Sequence, residues 1–326
     1  IHALPIFHVH GLFVALHGAL INGSPMLWHA KFDPKRVIAD MARATVFMGV
    51  PTLYVRMLAE PALTRQAASR MRLFIAGSAP LLIETFKDWQ TRTGHTILER
   101  YGMSETVMLT SNPYTADARF EYQSERRGAT VGFPLPGVSL RVAGEGDAPL
   151  AEGEIGGIQV KGANVFAGYW RMPEKTREDF TTDGWFITGD VCTIDAQGRV
   201  TIVGRAKDLI LHNGRNIWPQ DIEWAAEQIE PLRSGDVAAF AVENDEGEDE
   251  VTVLVHCRMQ DGASVEALRH EVSAVVHRSA GVECKVVMVP PKSLPFTSSG
   301  KLSRAAAKQK FLSGEIAEVT ALSLIA

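Results

Sequence analysis

The chain has 326 residues, 46% of them hydrophobic and 22% charged, a globular composition with length for two domains or more. Its formal net charge of −5 includes no basic block, which argues against a nucleic-acid surface. Cys192, Cys257 and Cys284 lie far apart, so they fit neither a disulfide framework nor a zinc knuckle and read as buried thiols of a reducing compartment. No apolar run is long enough to span a bilayer and no secretory leader is visible, so the cytoplasm is the expected compartment.

In chain order, residues 13–19 and 34–44 carry apolar side chains at helical spacing. Asp33 and Pro34 look like a cap followed by a first-turn proline. Residues 45–50 are β-branched and apolar, a strand, and Pro51 opens the next helix. Residues 71–76 form another strand, Pro80 opens a helix to about Thr93, and a strand at 97–100 ends at Tyr101. This alternation predicts a mostly parallel sheet with helices on its faces. Ligands of such sheets lie beyond the carboxyl ends of the strands, which is where Gly77 and Tyr101 fall. The texture changes after Asn112. Residues 117–128 read as a polar loop, and short strands at 139–142, 157–161, 184–188, 191–194 and 199–203 predict a small β subdomain, with a hairpin turn at 195–198. Beyond Lys207, helices at 221–228 and 265–279 and strands at 237–242, 251–257 and 285–289 predict a compact α+β domain, with a solvated acidic loop at 244–250. The expected fold class is α/β: a mostly parallel sheet subdomain and a small β subdomain, followed by a compact α+β C-terminal domain.

The stretch Glu99-Arg100-Tyr101-Gly102-Met103-Ser104-Glu105-Thr106 is the densest in chemical tools. Tyr101 offers a flat ring on which a base can stack, and Gly102 permits a tight turn or a close approach to a ligand. Ser104 and Glu105 set a hydroxyl beside a carboxylate, the pair that a phosphate and its Mg²⁺ would use. Gly77-Ser78-Ala79-Pro80 follows a strand and brings bare backbone near the same ligand. Taken singly, each residue has a plainer reading. Ser78 is then a helix cap, Tyr101 a core ring, Asp190 half of a surface ion pair, and Glu105 an acid that complements a helix N-terminus. Lys207 and Lys301 are then solvated, and His8 and His10 ordinary hydrogen-bonded histidines with no partner cluster for a metal.

Together and in order, five stretches resemble the motif set of the adenylate-forming superfamily: Gly77 to Pro80, Glu99 to Thr106, Thr188-Gly189-Asp190, Gly204-Arg205-Ala206-Lys207-Asp208, and Thr297-Ser298-Ser299-Gly300-Lys301. That superfamily comprises acyl-CoA synthetases, fatty-acyl-AMP ligases, peptide-synthetase adenylation domains and luciferases. The resemblance runs from about Leu4 to about Arg304. It implies an ATP-dependent acid–thiol ligase with Mg²⁺, a small-molecule carboxylic acid and CoA as acyl acceptor. By resemblance, Gly77, Ser78, Ala79, Pro80, Tyr101 and Gly102 surround adenosine, and Asp190 and Arg205 take the ribose. Ser104 takes the α-phosphate, Glu105 the Mg²⁺, and His8 gates the way between acyl pocket and thiol tunnel. Lys301, on a mobile small domain, meets the oxygen that gains charge in the transition state. Lys207 is the hinge. The implied domains are 1–204, the C-terminal part of the large AMP-binding domain, a hinge at 205–207, and a small mobile domain at 208–326. The chain opens at Ile1, and the family's upstream phosphate loop has no counterpart in it. It is therefore expected to be the C-terminal portion of a longer enzyme and a poor catalyst alone.

The first two hundred residues look most like malonyl-CoA synthetases, on Leu4 to Leu16, Lys31 to Pro34, Met41 to Tyr54, Glu99 to Thr106 and Asn164 to Thr176. Arg56 follows closely and would pair a second carboxylate bidentately, the physical case for a short dicarboxylic acid such as malonate. Facing solvent on its helix is its other reading. The small domain, on Leu209 to Glu223 and Leu232 to Phe240, is nearer the fatty-acyl-AMP ligases. Asn213-Gly214 stands where CoA-forming relatives usually have two glycines beside the thiol tunnel, and the Asn side chain adds bulk there. This leaves the acceptor open between CoA and an acyl carrier protein. Met108, Phe133 and Leu135 would line an apolar acyl tunnel for a fatty acid, or simply pack in the core. A non-catalytic binding remnant of the fold is the third reading.

Overall fold

The computed structural model describes residues 1–114, 130–212, 214–243, 249–259, 261–297 and 301–319. The loop expected at 117–128, most of that at 244–250, Asn213 and Ser298 to Gly300 lie outside the described residues. The chain divides into two compact units, Ile1–Val203 and Gly204–Ala326.

In the first unit, β1 (Val46–Gly49), β2 (Leu73–Ala76) and β3 (Ile97–Tyr101) pair in parallel, Val46 beside Leu73 and Phe74 beside Ile97. All four residues of β2 are buried, as expected of a strand covered on both faces. Helices Pro51–Leu58 and Ile83–Thr93 make the crossovers. Trp89 packs edge-on to Tyr54 and Phe74, with centroids 4.9 Å from each. The cap at Asp33 forms, its carboxylate accepting the Arg36 N–H at 3.1 Å. Three expected helices are shorter or start elsewhere. Residues 10–21 form a wide π-type turn, His10–Leu16, that tightens into His17–Ile21, and the helix from Pro34 ends at Asp40 in a 3₁₀ turn, Met41–Arg43. The helix expected to open at Pro80 begins at Ile83, since Leu82 before it is still extended at φ −67° and ψ 143°.

The parallel strands pass without a break into antiparallel ones. These are β4 (Thr110–Ser111), β5 (Thr130–Pro134), β6 (Val138–Ala143), β7 (Gly156–Gly162), β8 (Phe186–Ile194) and β9 (Val200–Arg205). One nine-stranded sheet results, in the order β1-β2-β3-β4-β5-β9-β8-β7-β6. The two strands expected at 184–188 and 191–194 are one. Gly189, at φ +74°, does not end β8 but sits in a bulge. Gly157 of β7 faces Val191 and Gln159 faces Ile187, so β8 has two extra residues across Thr188-Gly189-Asp190. A bulge re-aims side chains without ending the pairing.

In the second unit, a hairpin of β10 (Ile210–His212) and β11 (Arg215–Ile217) precedes helix Pro219–Ala226. Then β12 (Val237–Glu243), β13 (Asp249–His256) and β14 (Lys285–Val289) form a sheet in that order, the first pair antiparallel and the second parallel. Period-two alternation divides its buried residues between two cores. Val237, Ala239, Val253 and Val255 face helices Pro219–Ala226 and Gly262–Ala280. Ala238, Phe240 and Leu254 face Ala307 of helix Arg304–Leu312. The hairpin and the last helix have no counterpart among the predicted elements. Among the described residues no helix is long and apolar enough to cross a membrane.

Glu227, just past helix Pro219–Ala226, accepts the Gly235 N–H at 2.6 Å and forms no ion pair among the described residues. Burial first, and then the nearby Glu223 and Asp236 charges, push its carboxyl up to about 8. The folded chain then holds a proton between about pH 4.5 and 8 that the unfolded chain releases, so this group makes stability fall as pH rises through that window. Glu227→Gln is expected to leave the melting temperature nearly unchanged at pH 5. At pH 8.5 it should raise it, by about 2–4 °C per kcal/mol released. Equal shifts at both pH values would show that Glu227 is charged throughout.

Candidate active site

The site in the first unit is built where β3 ends. The Tyr101 hydroxyl donates to Asp190 Oδ2 at 2.7 Å, joining residues 89 positions apart through the bulge in β8. Burial, then the Asp190 charge, holds the Tyr101 phenol well above its usual pKa. The chain turns sharply after Tyr101. A Cβ at Gly102 would lie 2.0 Å from the Val107 carbonyl oxygen, so no other residue fits there. Val107 closes the turn at φ +59°, a conformation that is strained for a β-branched residue. The Val107 N–H bonds to Met103 O at 2.8 Å and the Leu109 N–H to Tyr101 O at 2.9 Å. Ser104 is exposed on this turn and Glu105 is half-buried.

A second segment grips the turn. Asn164 donates from Nδ2 to Thr106 O at 2.8 Å and to Met108 O at 3.0 Å. The Phe166 N–H donates to Glu105 O at 2.8 Å, and the Tyr169 hydroxyl to Glu105 Oε1 at 3.1 Å. Burial, and then the Glu105 charge, raise the Tyr169 pKa, so the phenol stays a donor. Sequence reasoning assigned no role to Asn164 or Tyr169. Both lie in the run quoted for the malonyl-CoA synthetase resemblance, the one signal that pointed there.

Gly77-Ser78-Ala79-Pro80 lies beside this turn as a strand-end loop. Ser78 is at φ +71°, with its hydroxyl 3.3 Å from His10 Nδ1. It does not cap a helix, since the next one begins at Ile83. Gly77 is buried, and a Cβ there would lie 3.4 Å from Arg100 O and 3.6 Å from the His10 ring. His10 rather than His8 therefore meets this loop; the His8 ring is half-buried against Phe7, centroids 4.5 Å apart. Below the loop, burial pushes the Glu99 carboxyl well above its usual pKa, opposed by the Leu81 amide bonded to it. Asn112 donates to Glu99 O at 3.1 Å and to Thr130 O at 2.5 Å, pinning β3 to β5.

Other predicted site residues are placed separately. Arg56 is exposed, its guanidinium 4.7 Å from the Phe32 ring centroid. Met108, Phe133 and Leu135 are half-buried. In the second unit, Arg205 and Lys207 are exposed, Lys207 within the 3₁₀ turn Ala206–Asp208. Gly214 takes φ +71° between β10 and β11, where a left-handed residue is required. Lys301 is exposed, its N–H on Thr297 Oγ1 at 3.2 Å and its carbonyl accepting the Thr297 N–H at 2.8 Å. Among the described residues no group of three His, Cys, Asp or Glu side chains is arranged to hold a metal ion. A Mg²⁺ that takes most of its ligands from phosphates and water needs one protein carboxylate, and Glu105 fits that need.

Residues 1–170 match the family model described as AMP-binding enzyme, and residues 214–308 that of the AMP-binding enzyme C-terminal domain. A putative acyl-CoA synthetase of Caulobacter vibrioides is 45% identical over 207 residues, covering 63% of this chain and 36% of the relative. The mitochondrial malonate–CoA ligase of Homo sapiens is 31% identical, covering 95% of this chain and 58% of the relative. The crystal structure of ATP-bound MatB from Rhodopseudomonas palustris superposes with a TM-score of 0.82 at 42% identity, covering 95% of this chain and 59% of that one. The chain thus spans between about a third and three-fifths of the length of the proteins it resembles.

Asn164→Ala would leave the Thr106 and Met108 carbonyls without their donor. It is expected to cost about 1–3 kcal/mol of stability and to speed amide exchange at Val107 and Leu109. Unchanged exchange there would show that the turn stands without its clamp.

Proposed function

The chain belongs to the AMP-binding enzyme family, and on that premise we propose that it serves an ATP-dependent acid–thiol ligase working through an acyl-adenylate. A carboxylate oxygen attacks the α-phosphorus of ATP, the bond to the β-phosphate bridge breaks, and pyrophosphate leaves. A thiolate then attacks the acyl carbon and AMP leaves. The observation that supports this reading best is the Tyr101–Asp190 hydrogen bond of 2.7 Å. It sets an aromatic face and a buried carboxylate side by side, as adenine and ribose together require.

In this proposal the Tyr101 ring and the backbone of Gly77 to Pro80 sandwich the base, and Asp190 accepts from the ribose hydroxyls with Arg205 as forked donor. Gly102 lets the backbone approach the nucleotide closely, and Ser104 faces the α-phosphate. Glu105 holds Mg²⁺, which would neutralise phosphate charge, and Tyr169 fixes one of its oxygens. Lys301 stabilises the charge that develops at the α-phosphate, and His8 gates the path to the thiol. Asn213 and Gly214 border that path. Residues 1–204 act as the end of the large domain, 205–207 as a hinge about Lys207, and 208–326 as the mobile small domain. The cytoplasm suits the unpaired thiols of Cys192, Cys257 and Cys284.

For the acid we propose a short dicarboxylate such as malonate, with a fatty acid as the second choice. Support for the first comes from the malonate–CoA ligase of Homo sapiens and from the exposed guanidinium of Arg56, free of any carboxylate in the ion pairs of the described residues. Support for the second is a long-chain-fatty-acid–CoA ligase of Bacillus subtilis, 32% identical over 305 residues. CoA is the proposed acceptor. The test is pyrophosphate exchange by the full-length protein with a panel of acids, followed by transfer to CoA and to a phosphopantetheinylated carrier in parallel. Exchange is expected with a short dicarboxylate, and none with any acid would refute the reading. Lys301→Ala should cut exchange by roughly 10²–10³, the usual loss of one preorganised transition-state donor. Transfer from a supplied acyl-adenylate should persist.

A further inference from the structure

Arg304 begins the last helix, three residues after Lys301, where Ser303 caps the Ala306 N–H at 3.4 Å. Its guanidinium uses three donors on two carboxylates. Nε and Nη2 take both oxygens of Glu223 at 2.8 and 2.6 Å, and Nη1 takes Asp208 Oδ2 at 2.8 Å. Burial opposes the charge on Arg304, but hydrogen bonding to Glu223 and the charges of Glu223 and Asp208 outweigh it and raise its pKa. Glu223 is buried at 5% exposure and also accepts the Ala239 N–H at 3.0 Å, so it anchors Arg304 to the sheet. This fork would suffice to seat the helix. The third donor goes to Asp208, the last residue of the turn that carries Lys207.

On the other side of Arg304 the chain back to Lys301 is stitched. The Ser303 N–H bonds to Pro295 O at 3.0 Å, Phe296 bridges Leu302, and Thr297 and Lys301 exchange the two bonds given above. The His256 ring adds an anchor at the entrance, Nε2 accepting the Leu294 N–H at 3.3 Å. The turn at 206–208 and the loop at Lys301 are thus linked through one half-buried cation, although 96 residues separate Asp208 from Arg304.

We infer that Arg304 is a positioning residue whose bond to Asp208 locks the turn around Lys207 to the loop of Lys301, so that the two move as one rigid piece. A rotation about Lys207 is then delivered to the lysine without slack. The catalytic meaning of this link rests on the function proposed above; its mechanical meaning does not.

Removing Arg304 would strand the buried Glu223 charge and endanger the fold, so the test uses Asp208→Asn, which keeps the size and the Arg304–Glu223 fork. Two measurements are made on the full-length protein. Amide exchange at Lys301 and Ser303 is expected to quicken while the melting temperature stays within a few degrees (about 2–4 °C per kcal/mol). Acid-dependent pyrophosphate exchange should fall about tenfold, less than the ~10²-fold cost of a 1 Å misplacement, with transfer from a supplied acyl-adenylate retained. Asp208→Glu should recover most of the loss. In a Lys301→Ala background Asp208→Asn should add nothing, because residues acting through one group are not additive. Unchanged amide exchange, or a further tenfold loss without Lys301, would overturn the inference. Absence of pyrophosphate exchange in the unaltered protein would instead strike the proposed function, and amide exchange alone would then decide the link.

Discussion

The hydrogen bond from Tyr101 to Asp190 is the constraint on which the first unit turns. Tyr101 ends the parallel half of the sheet, and Asp190 stands in the bulge of an antiparallel strand. For the two to meet, β8 must gain two residues without losing its partner, and the chain after Tyr101 must fold back at once. Gly189 permits the first and Gly102 the second. Once they meet, a flat ring and a buried acceptor share one edge. The carboxylate is held by a phenol whose pKa burial raises well above the usual value.

Such a site carries strain. Ser78 and Val107 both occupy left-handed backbone without being glycine, each at a cost of about 1–3 kcal/mol. Both lie within loops that neighbours over-determine. Asn164 holds the carbonyls on either side of Val107, and His10 meets the Ser78 hydroxyl. Glu99 and Asn112 fix the strand end between them, by bonds that involve Leu81, Glu99 O and Thr130 O. The polar groups under the loops thus supply rigidity, and the exposed Ser104 and half-buried Glu105 are left at the surface of a stiff support.

What the sequence made legible follows from range. The strands β1 to β3 are short apolar runs between turn residues, and their local pattern sufficed. Glycine punctuation misled at Gly189, because a bulge and a chain break look alike until the partner strand is known. Proline misled at Pro80, where the chain stays extended through Leu82 and the helix opens only at Ile83. Helix Arg304–Leu312 was overlooked because its only fully buried residue is Ala307, which leaves almost no apolar stripe to detect. In the site, motif order drew attention to Tyr101, Asp190, Ser78 and Glu105. The roles of Asn164, Tyr169 and His10 are contacts across 56 to 68 positions, and spacing carries no trace of them.

The second unit handles two acids of one segment in opposite ways, and the contrast explains why its ionic link persists. Glu223 and Glu227 both sit against the start of β12, bonded to the amides of Ala239 and Gly235 respectively. Glu223 is paired through both oxygens with the two-pronged Arg304, whose remaining donor goes to Asp208. Glu227 has only amides as partners among the described residues, and burial pushes its carboxyl up to about 8. Burial of a charge is tolerated when a cation and hydrogen bonds share it, and otherwise the group neutralises itself. Arg304 is therefore bound to its partners by the cost of leaving any of them alone. It holds the segments it joins together, and those segments are the turn at Lys207 and the approach to Lys301.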